Sequence, residues 1–91
     1  MRKHLNIRVF GRVHDVNFRY FARKKAEKLG LGGLVRNEYD PSSVYMEAEG
    51  EEEALKKFAD WCRKGPWPAK VTEMQTEEGE PKGFTEFIIQ K

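Results

Sequence analysis

The chain has 91 residues, so we expect residues 1–91 to form one small domain with a single two-layer core. Hydrophobic residues make up 38% of the chain and no apolar run reaches the length of a membrane span, while the net charge of +2 is too small to indicate a nucleic-acid partner by itself. Cys62 is the only cysteine, which excludes an internal disulfide, and we expect a cytoplasmic protein that does not contact a membrane.

Alternating side chains near the N-terminus predict the first strand. Over residues 4–10, Leu5, Ile7 and Val9 share one face. We expect this face to be buried and His4, on the opposite face, to be exposed.

A change to helical periodicity predicts the first helix after residue 17. Its apolar stripe consists of Phe18, Phe21, Ala22, Ala26 and Leu29. Asn17 is expected to cap the helix and Gly30 to end it, which places Arg19 in the first turn. Unpaired N–H groups and the positive end of the helix dipole make such an N-terminus a favourable place for a phosphate group.

The rest of the chain predicts two strands, a second helix and two more strands. The expected elements are strands at 33–39 and 44–49, a helix opening at Gly50, a strand near 70–76 and a last strand at 84–90. Cys62 falls on the apolar stripe of the second helix, so we expect it in the core and not as a nucleophile. The order βαββαβ plus a C-terminal strand predicts an α+β, ferredoxin-like split βαβ sandwich, with two helices on one face of an antiparallel sheet.

Two blocks of the sequence resemble the signature blocks of the acylphosphatase family. Residues 11–19 (GRVHDVNFR) are similar to the family pattern Gly-x-Val-Gln-Gly-Val-x-Phe-Arg, and residues 33–37 (GLVRN) are similar to its second block. The resemblance extends over nearly the whole chain. It implies an enzyme that hydrolyses the carboxyl-phosphate bond of acyl phosphates to a carboxylate and inorganic phosphate.

The resemblance also implies roles for individual residues. By motif position, Arg19 binds the phosphoryl group and Asn37 orients the attacking water. The phosphate-binding loop that it implies consists of His14, Asp15, Val16, Asn17, Phe18 and Arg19. Arginine offers planar, paired donors to phosphoryl oxygens, and a neutral amide can suffice to hold water because a carboxylate is a good leaving group.

No cluster of side chains has metal-ligand spacing, so we expect a metal-independent enzyme without a cofactor. The expected partners are a small-molecule acyl phosphate and inorganic phosphate, the product and a competitive inhibitor. We expect a monomer.

His14 and Asp15 stand where the family pattern has Gln-Gly. Asp tolerates left-handed backbone geometry well, but two unit charges about 4 Å apart repel by about 1 kcal/mol in water and about 4 kcal/mol near a protein surface. We therefore expect Asp15 to lower affinity for phosphate without abolishing activity, unless its side chain points to solvent. We expect His14 to be a solvated loop residue that offsets part of this charge when protonated.

Two alternatives remain open. The first is an acylphosphatase-like domain that binds phosphate or another anion but is catalytically weakened or inactive, because of His14 and Asp15. The second is an RNA-binding module, since RNA-recognition domains share the βαββαβ order and Tyr45 lies on the non-core face of its strand. Glu47 and Glu49 on that face would repel phosphates, so we expect no nucleic-acid partner.

Overall fold

The computed structural model describes residues 1–91. Its strands and helices lie close to the positions that the periodicity of the sequence predicts. In chain order the elements are β1 (Arg2–Arg12), α1 (Phe18–Lys28), β2 (Gly32–Glu38), β3 (Ser43–Glu51), α2 (Glu52–Lys64), β4 (Lys70–Gly79) and β5 (Phe87–Ile89). Neither helix is long and apolar enough to cross a membrane.

The five strands form one sheet in the order β4-β1-β3-β2-β5. The prediction of an antiparallel sheet is correct for β1 to β4, in which Val9 lies opposite Val44. It is wrong for β5, which runs parallel to β2 with Ile89 opposite Val35. The reason is that the chain crosses to the far edge of the sheet after β4, so β5 starts beside the start of β2 and runs in the same direction. The predicted ferredoxin-like α+β fold is confirmed.

The core lies between the sheet and the two helices, and the alternation of β1 and the stripe of α2 supply much of it. Ile7 and Val9 are fully buried, as predicted, and so is Phe58 of α2. Cys62 is also fully buried, and burial raises the pKa of its thiol. The expectation of a core cysteine is therefore confirmed, because a buried thiol with a raised pKa is a poor nucleophile.

Several predicted boundaries are wrong. β1 and β4 are longer than predicted, since they extend over Arg2–Arg12 and Lys70–Gly79. The second helix begins at Glu52 instead of Gly50, because β3 continues to Glu51, which pairs with Arg2. The last strand begins at Phe87 instead of residue 84. The amides of residues 82–84 donate to the carboxylate of Glu49, so they are not available for a strand ladder.

The prediction that His4 is exposed is wrong, since the residue is only 1% exposed. Its Nδ1 lies 2.8 Å from Oε1 of Glu49, and its Nε2 lies 3.1 Å from Oε1 of Glu47. Segment 80–86 covers the imidazole, and Phe84 stacks on it with ring centroids 5.9 Å apart. The alternation of β1 predicts the correct face for His4, but it contains no information about the later segment that covers this face.

Candidate active site

The loop of residues 13–17 connects β1 to α1, and its backbone has an unusual conformation. Asp15 and Asn17 both have φ 59°, in the left-handed region that Asp and Asn tolerate better than most residues. The side chains of Val13 and Val16 are buried and attach the loop to the core. Asn17 occupies the N-cap position of α1 as predicted, but its side chain makes no capping hydrogen bond.

The backbone N–H groups of this loop are not used as donors to other backbone groups. None of the backbone hydrogen bonds outside the helices and strands has an amide of residues 14–17 as its donor. The first helical residues after them also have N–H groups without acceptors within the helix. The junction therefore presents a set of N–H donors at the positive end of the helix dipole, where an anion is stabilised.

Arg19 and Asn37 lie on different elements and line the same cavity, which has a volume of about 340 Å³. Arg19 is in the first turn of α1, and Asn37 is near the end of β2. The other lining residues are Val13, Asp15, Asn17, Phe18, Tyr20, Ile89 and Lys91. Neither the guanidinium of Arg19 nor the amide of Asn37 takes part in a hydrogen bond or ion pair within the protein, so both groups are free to bind a ligand.

His14 and Val16 are the two predicted site residues that do not line this cavity. The expectation of a solvated His14 is wrong, because its Nε2 lies 2.8 Å from the carbonyl oxygen of Ser43 and its Nδ1 lies 3.2 Å from the hydroxyl of Ser42. Since a carbonyl only accepts, Nε2 is the donor in the first contact. The edge of the imidazole also packs against Tyr39, with ring centroids 5.0 Å apart. His14 thus attaches the loop to the β2–β3 hairpin.

Asp15 is exposed and lines the cavity without forming an ion pair with Arg19. The predicted tolerance of this position for Asp is confirmed by its left-handed φ. Its charge stands beside the free amides of the loop, where a negative side chain would oppose the binding of an anion. Because the side chain is in contact with solvent, the repulsion is expected near the lower end of the range for unit charges.

Four lining residues were not predicted as site residues: Val13, Tyr20, Ile89 and Lys91. Val13 directly precedes the predicted loop. Tyr20 lies just outside the block of residues 11–19 and is 43% exposed, so its position next to Arg19 was the available signal. Ile89 and Lys91 reach the cavity because β5 pairs with β2, the strand that contains Asn37. Nothing in the sequence predicts that parallel pairing.

A cluster of charged side chains lies on the open face of the sheet, on the opposite side of β2 from Asn37. Glu38 accepts hydrogen bonds from Arg36 (Nη2 to Oε2, 3.0 Å) and from Arg8 (Nε to Oε1, 2.9 Å). Partial burial raises the pKa of the Glu38 carboxyl, but the hydrogen bonds from the two arginines lower it more, so the net direction is downward. Burial, together with the hydrogen bond that Tyr45 donates to Glu47, raises the pKa of the Tyr45 phenol to about 12.

No group of three or more His, Cys, Asp or Glu side chains has an arrangement that could hold a metal ion. The two largest of the other cavities, of about 490 Å³ each, lie away from the loop. One is between the two helices and is lined by Phe21, Trp61 and three lysines, and the other is on the open face of the sheet. Neither contains Arg19, Asn37 or an amide of the loop.

Comparison with known proteins gives consistent results. The family model described as Acylphosphatase matches residues 5–89. An acylphosphatase of Thermotoga maritima is 47% identical over 87 residues, which cover 96% of each chain. The crystal structure of acylphosphatase from Bacillus subtilis superposes with a TM-score of 0.93 at 37% identity and full coverage of both chains. The structure of an acylphosphatase from Coxiella burnetii has a TM-score of 0.93 at 31% identity, covering 98% of this chain and 93% of its own.

Proposed function

The chain belongs to the acylphosphatase family and hydrolyses acyl phosphates to a carboxylate and inorganic phosphate, and we propose that Arg19 and Asn37 are its two principal catalytic residues. The observation that supports this assignment is that the two side chains line one cavity and have no partner within the protein. They come from residues 11–19 and 33–37, the two blocks that resemble the family signature.

The phosphoryl group binds where the donors are concentrated. The guanidinium of Arg19 offers two parallel N–H groups to phosphoryl oxygens and keeps its charge at any ordinary pH. The amides of residues 14–17 supply neutral donors from the loop, which the buried side chains of Val13 and Val16 keep in shape. Because these donors are positioned before the substrate arrives, they stabilise the charge that develops on the phosphoryl oxygens during transfer.

Asn37 orients the attacking water. Its amide can both donate to and accept from a water molecule, which fixes the direction of the water lone pair toward phosphorus. The leaving group is a carboxylate, which needs no proton to depart, so the site does not require a general acid. The function of the site is therefore mostly positioning and charge stabilisation.

This mechanism makes a prediction about substrate selectivity. An alkoxide is a much poorer leaving group than a carboxylate, and no group of the cavity is assigned to protonate it. We therefore expect hydrolysis of benzoyl phosphate and a much slower reaction with a simple alkyl phosphate monoester.

The corresponding experiment follows benzoyl phosphate hydrolysis with EDTA present, with the alkyl monoester under the same conditions as control. Turnover of the acyl phosphate that EDTA does not reduce, with competitive inhibition by inorganic phosphate, is the expected result. Loss of turnover with EDTA, or equal rates with the monoester, would contradict the proposal.

We propose a monomer in the cytoplasm that has no nucleic-acid partner. Guanidinium carbons of Arg8 and Arg36 lie 4.9 and 4.5 Å from the ring centroid of Tyr45, so this aromatic ring is already covered and not free to stack on a base. The carboxylates of Glu47 and Glu49 lie on the same face.

The proposed cytoplasmic location is based on the single cysteine. Light scattering tests the monomer, and single-stranded RNA binding at low salt tests the nucleic-acid prediction.

A further inference from the structure

The wall of the active-site cavity that β5 forms makes few hydrogen bonds with the rest of the protein, although Phe87 is buried in the core. β5 has three residues; its last residue, Ile89, lines the cavity, and so does Lys91 two residues beyond the strand. The amide of Gln90 donates to the carbonyl oxygen of Val35 at 2.8 Å, which continues the pairing with β2. A short edge strand with so few hydrogen bonds depends on side-chain contacts to keep its position.

One side-chain hydrogen bond reaches residues 87–91, and it comes from Arg36. Its Nη1 donates to Oε1 of Gln90 at 2.9 Å. Arg36 directly precedes Asn37, while Gln90 lies between Ile89 and Lys91. The contact therefore joins the two strands whose ends form this side of the cavity.

Arg36 is itself well fixed. Its Nε and Nη2 donate to Oε2 of Glu38 at 3.2 and 3.0 Å. Its guanidinium also lies over the ring of Tyr45, its cross-strand neighbour. A guanidinium bound on three sides has one orientation, so it can impose a position on Gln90.

We infer that Arg36 is a positioning residue for the hydrolysis reaction, which holds the β5 wall of the cavity in register with Asn37 through Gln90. The inference rests on the proposed function of the cavity. The phosphoryl group is bound by Arg19 and the loop, which Arg36 does not contact, so the β5 wall is left to contact the acyl part of the substrate. We call the hydrogen bond between Arg36 and Gln90 the clamp. Its loss should weaken productive binding of the whole acyl phosphate and leave the binding of inorganic phosphate unchanged.

Arg8 provides a matched control. It is the other cross-strand neighbour of Tyr45, it also pairs with Glu38, and its side chain is 36% exposed, the same fraction as that of Arg36. It differs in having no contact with Gln90. Each of the variants Arg36→Gln and Arg8→Gln removes one positive charge, one ion pair with Glu38 and one contact with the ring of Tyr45. Only Arg36→Gln also removes the clamp.

The experiment measures kcat and KM for benzoyl phosphate and the inhibition constant of inorganic phosphate in Arg36→Gln, Arg8→Gln and Gln90→Met. Displacement of a wall by about 1 Å can change rates by one to two orders of magnitude, and we expect KM to rise about fivefold or more in Arg36→Gln and Gln90→Met. The inhibition constant of inorganic phosphate should stay within about twofold of the wild-type value in all three variants, and Arg8→Gln should keep the wild-type KM. The double variant Arg36→Gln/Gln90→Met should be no worse than Arg36→Gln.

Hydrogen exchange of the Gln90 amide gives a second readout that does not depend on activity. Exchange should accelerate in Arg36→Gln and not in Arg8→Gln. Equal KM values in the two arginine variants, a wild-type KM in Gln90→Met, or unchanged exchange of the Gln90 amide would overturn the inference. If Arg36→Gln does not fold, Gln90→Met decides by the same criteria. Absence of turnover in the wild type would overturn the proposed function instead, and the exchange rates alone would then decide whether the clamp exists.

Discussion

His4 and Glu49 form a buried contact, with 2.8 Å between Nδ1 and Oε1 and each side chain only 1% exposed. The same carboxylate accepts the amides of Lys82, Gly83 and Phe84 at 2.6 to 3.0 Å. Glu49 thereby attaches segment 80–86 across the open face of the sheet, directly before the chain enters β5. One carboxylate thus binds three consecutive amides of the segment that leads to β5.

The first prediction concerns acid stability. Burial raises the pKa of the Glu49 carboxyl, but hydrogen bonds from the Lys82 amide and the His4 ring lower it by more, so that its pKa is about 2. A folded pKa below the unfolded value of 4.5 means that Glu49 stabilises the fold fully above about pH 4.5, and that this contribution, at most about 3 kcal/mol, is lost as the pH falls toward 2. The free energy of unfolding should therefore differ between wild type and Glu49→Gln at pH 7, and this difference should shrink steadily between pH 5 and pH 2.

Urea unfolding at several pH values measures this difference. Glu51→Gln is the matched control, because Glu51 lies on the same strand but is exposed and pairs only with the N-terminal amine. Its effect should be small at every pH. Wild-type and Glu49→Gln stability curves that stay parallel down to pH 3 would show that Glu49 has no such role.

The second prediction concerns Asp15. Removal of its negative charge should increase kcat/KM for benzoyl phosphate, by about fivefold if the repulsion is about 1 kcal/mol. Asp15→Asn keeps a residue that tolerates φ 59°, and Asp15→Gly removes the side chain altogether. Similar gains in both variants would assign the effect to charge, and an unchanged or lower kcat/KM in both would refute the prediction.

The third prediction concerns Asn37. If its amide orients water, Asn37→Ala should lower kcat by about a hundredfold while KM and the inhibition constant of phosphate change little. Circular dichroism confirms that the variant is folded. A variant with wild-type kcat and a raised KM would instead place Asn37 in substrate binding.

A fourth prediction concerns Cys62, whose Sγ lies 3.7 Å from Sδ of Met46 in the core. Burial raises the pKa of the thiol, so Cys62 should not react with a thiol reagent until the protein unfolds. Cys62→Ala should keep the wild-type kcat/KM and lower the free energy of unfolding by about 1–2 kcal/mol, since a small cavity replaces the sulfur. A loss of activity larger than the loss of folded protein would contradict its assignment as a core residue.

The features predicted from the sequence are those determined by near neighbours in the chain. The period-two alternation of β1 and the apolar stripe of α2 both identify buried faces correctly, because periodicity reports which side of an element is apolar. That Asn37 and Arg19 belong to one site could be predicted from the two blocks that resemble the family signature. These predictions depend on residues close together in sequence or on a known pattern.

The features that were missed depend on segments that meet only in the folded chain. His4 is buried by segment 80–86, more than 70 residues later, and His14 is bound by the backbone of Ser43. Ile89 and Lys91 line the cavity because β5 pairs with β2. Such long-range contacts leave no periodic signal in either segment.

The most direct test of the catalytic assignment compares Arg19→Lys with Arg23→Lys in the hydrolysis of benzoyl phosphate. Lysine keeps the charge but lacks the planar pair of donors, and Arg23 lies one helical turn after Arg19 without lining the cavity. We predict that kcat/KM falls by about a hundredfold or more in Arg19→Lys and stays within about twofold of wild type in Arg23→Lys. Equal kcat/KM values in the two variants would contradict the assignment of Arg19 as the residue that binds the phosphoryl group.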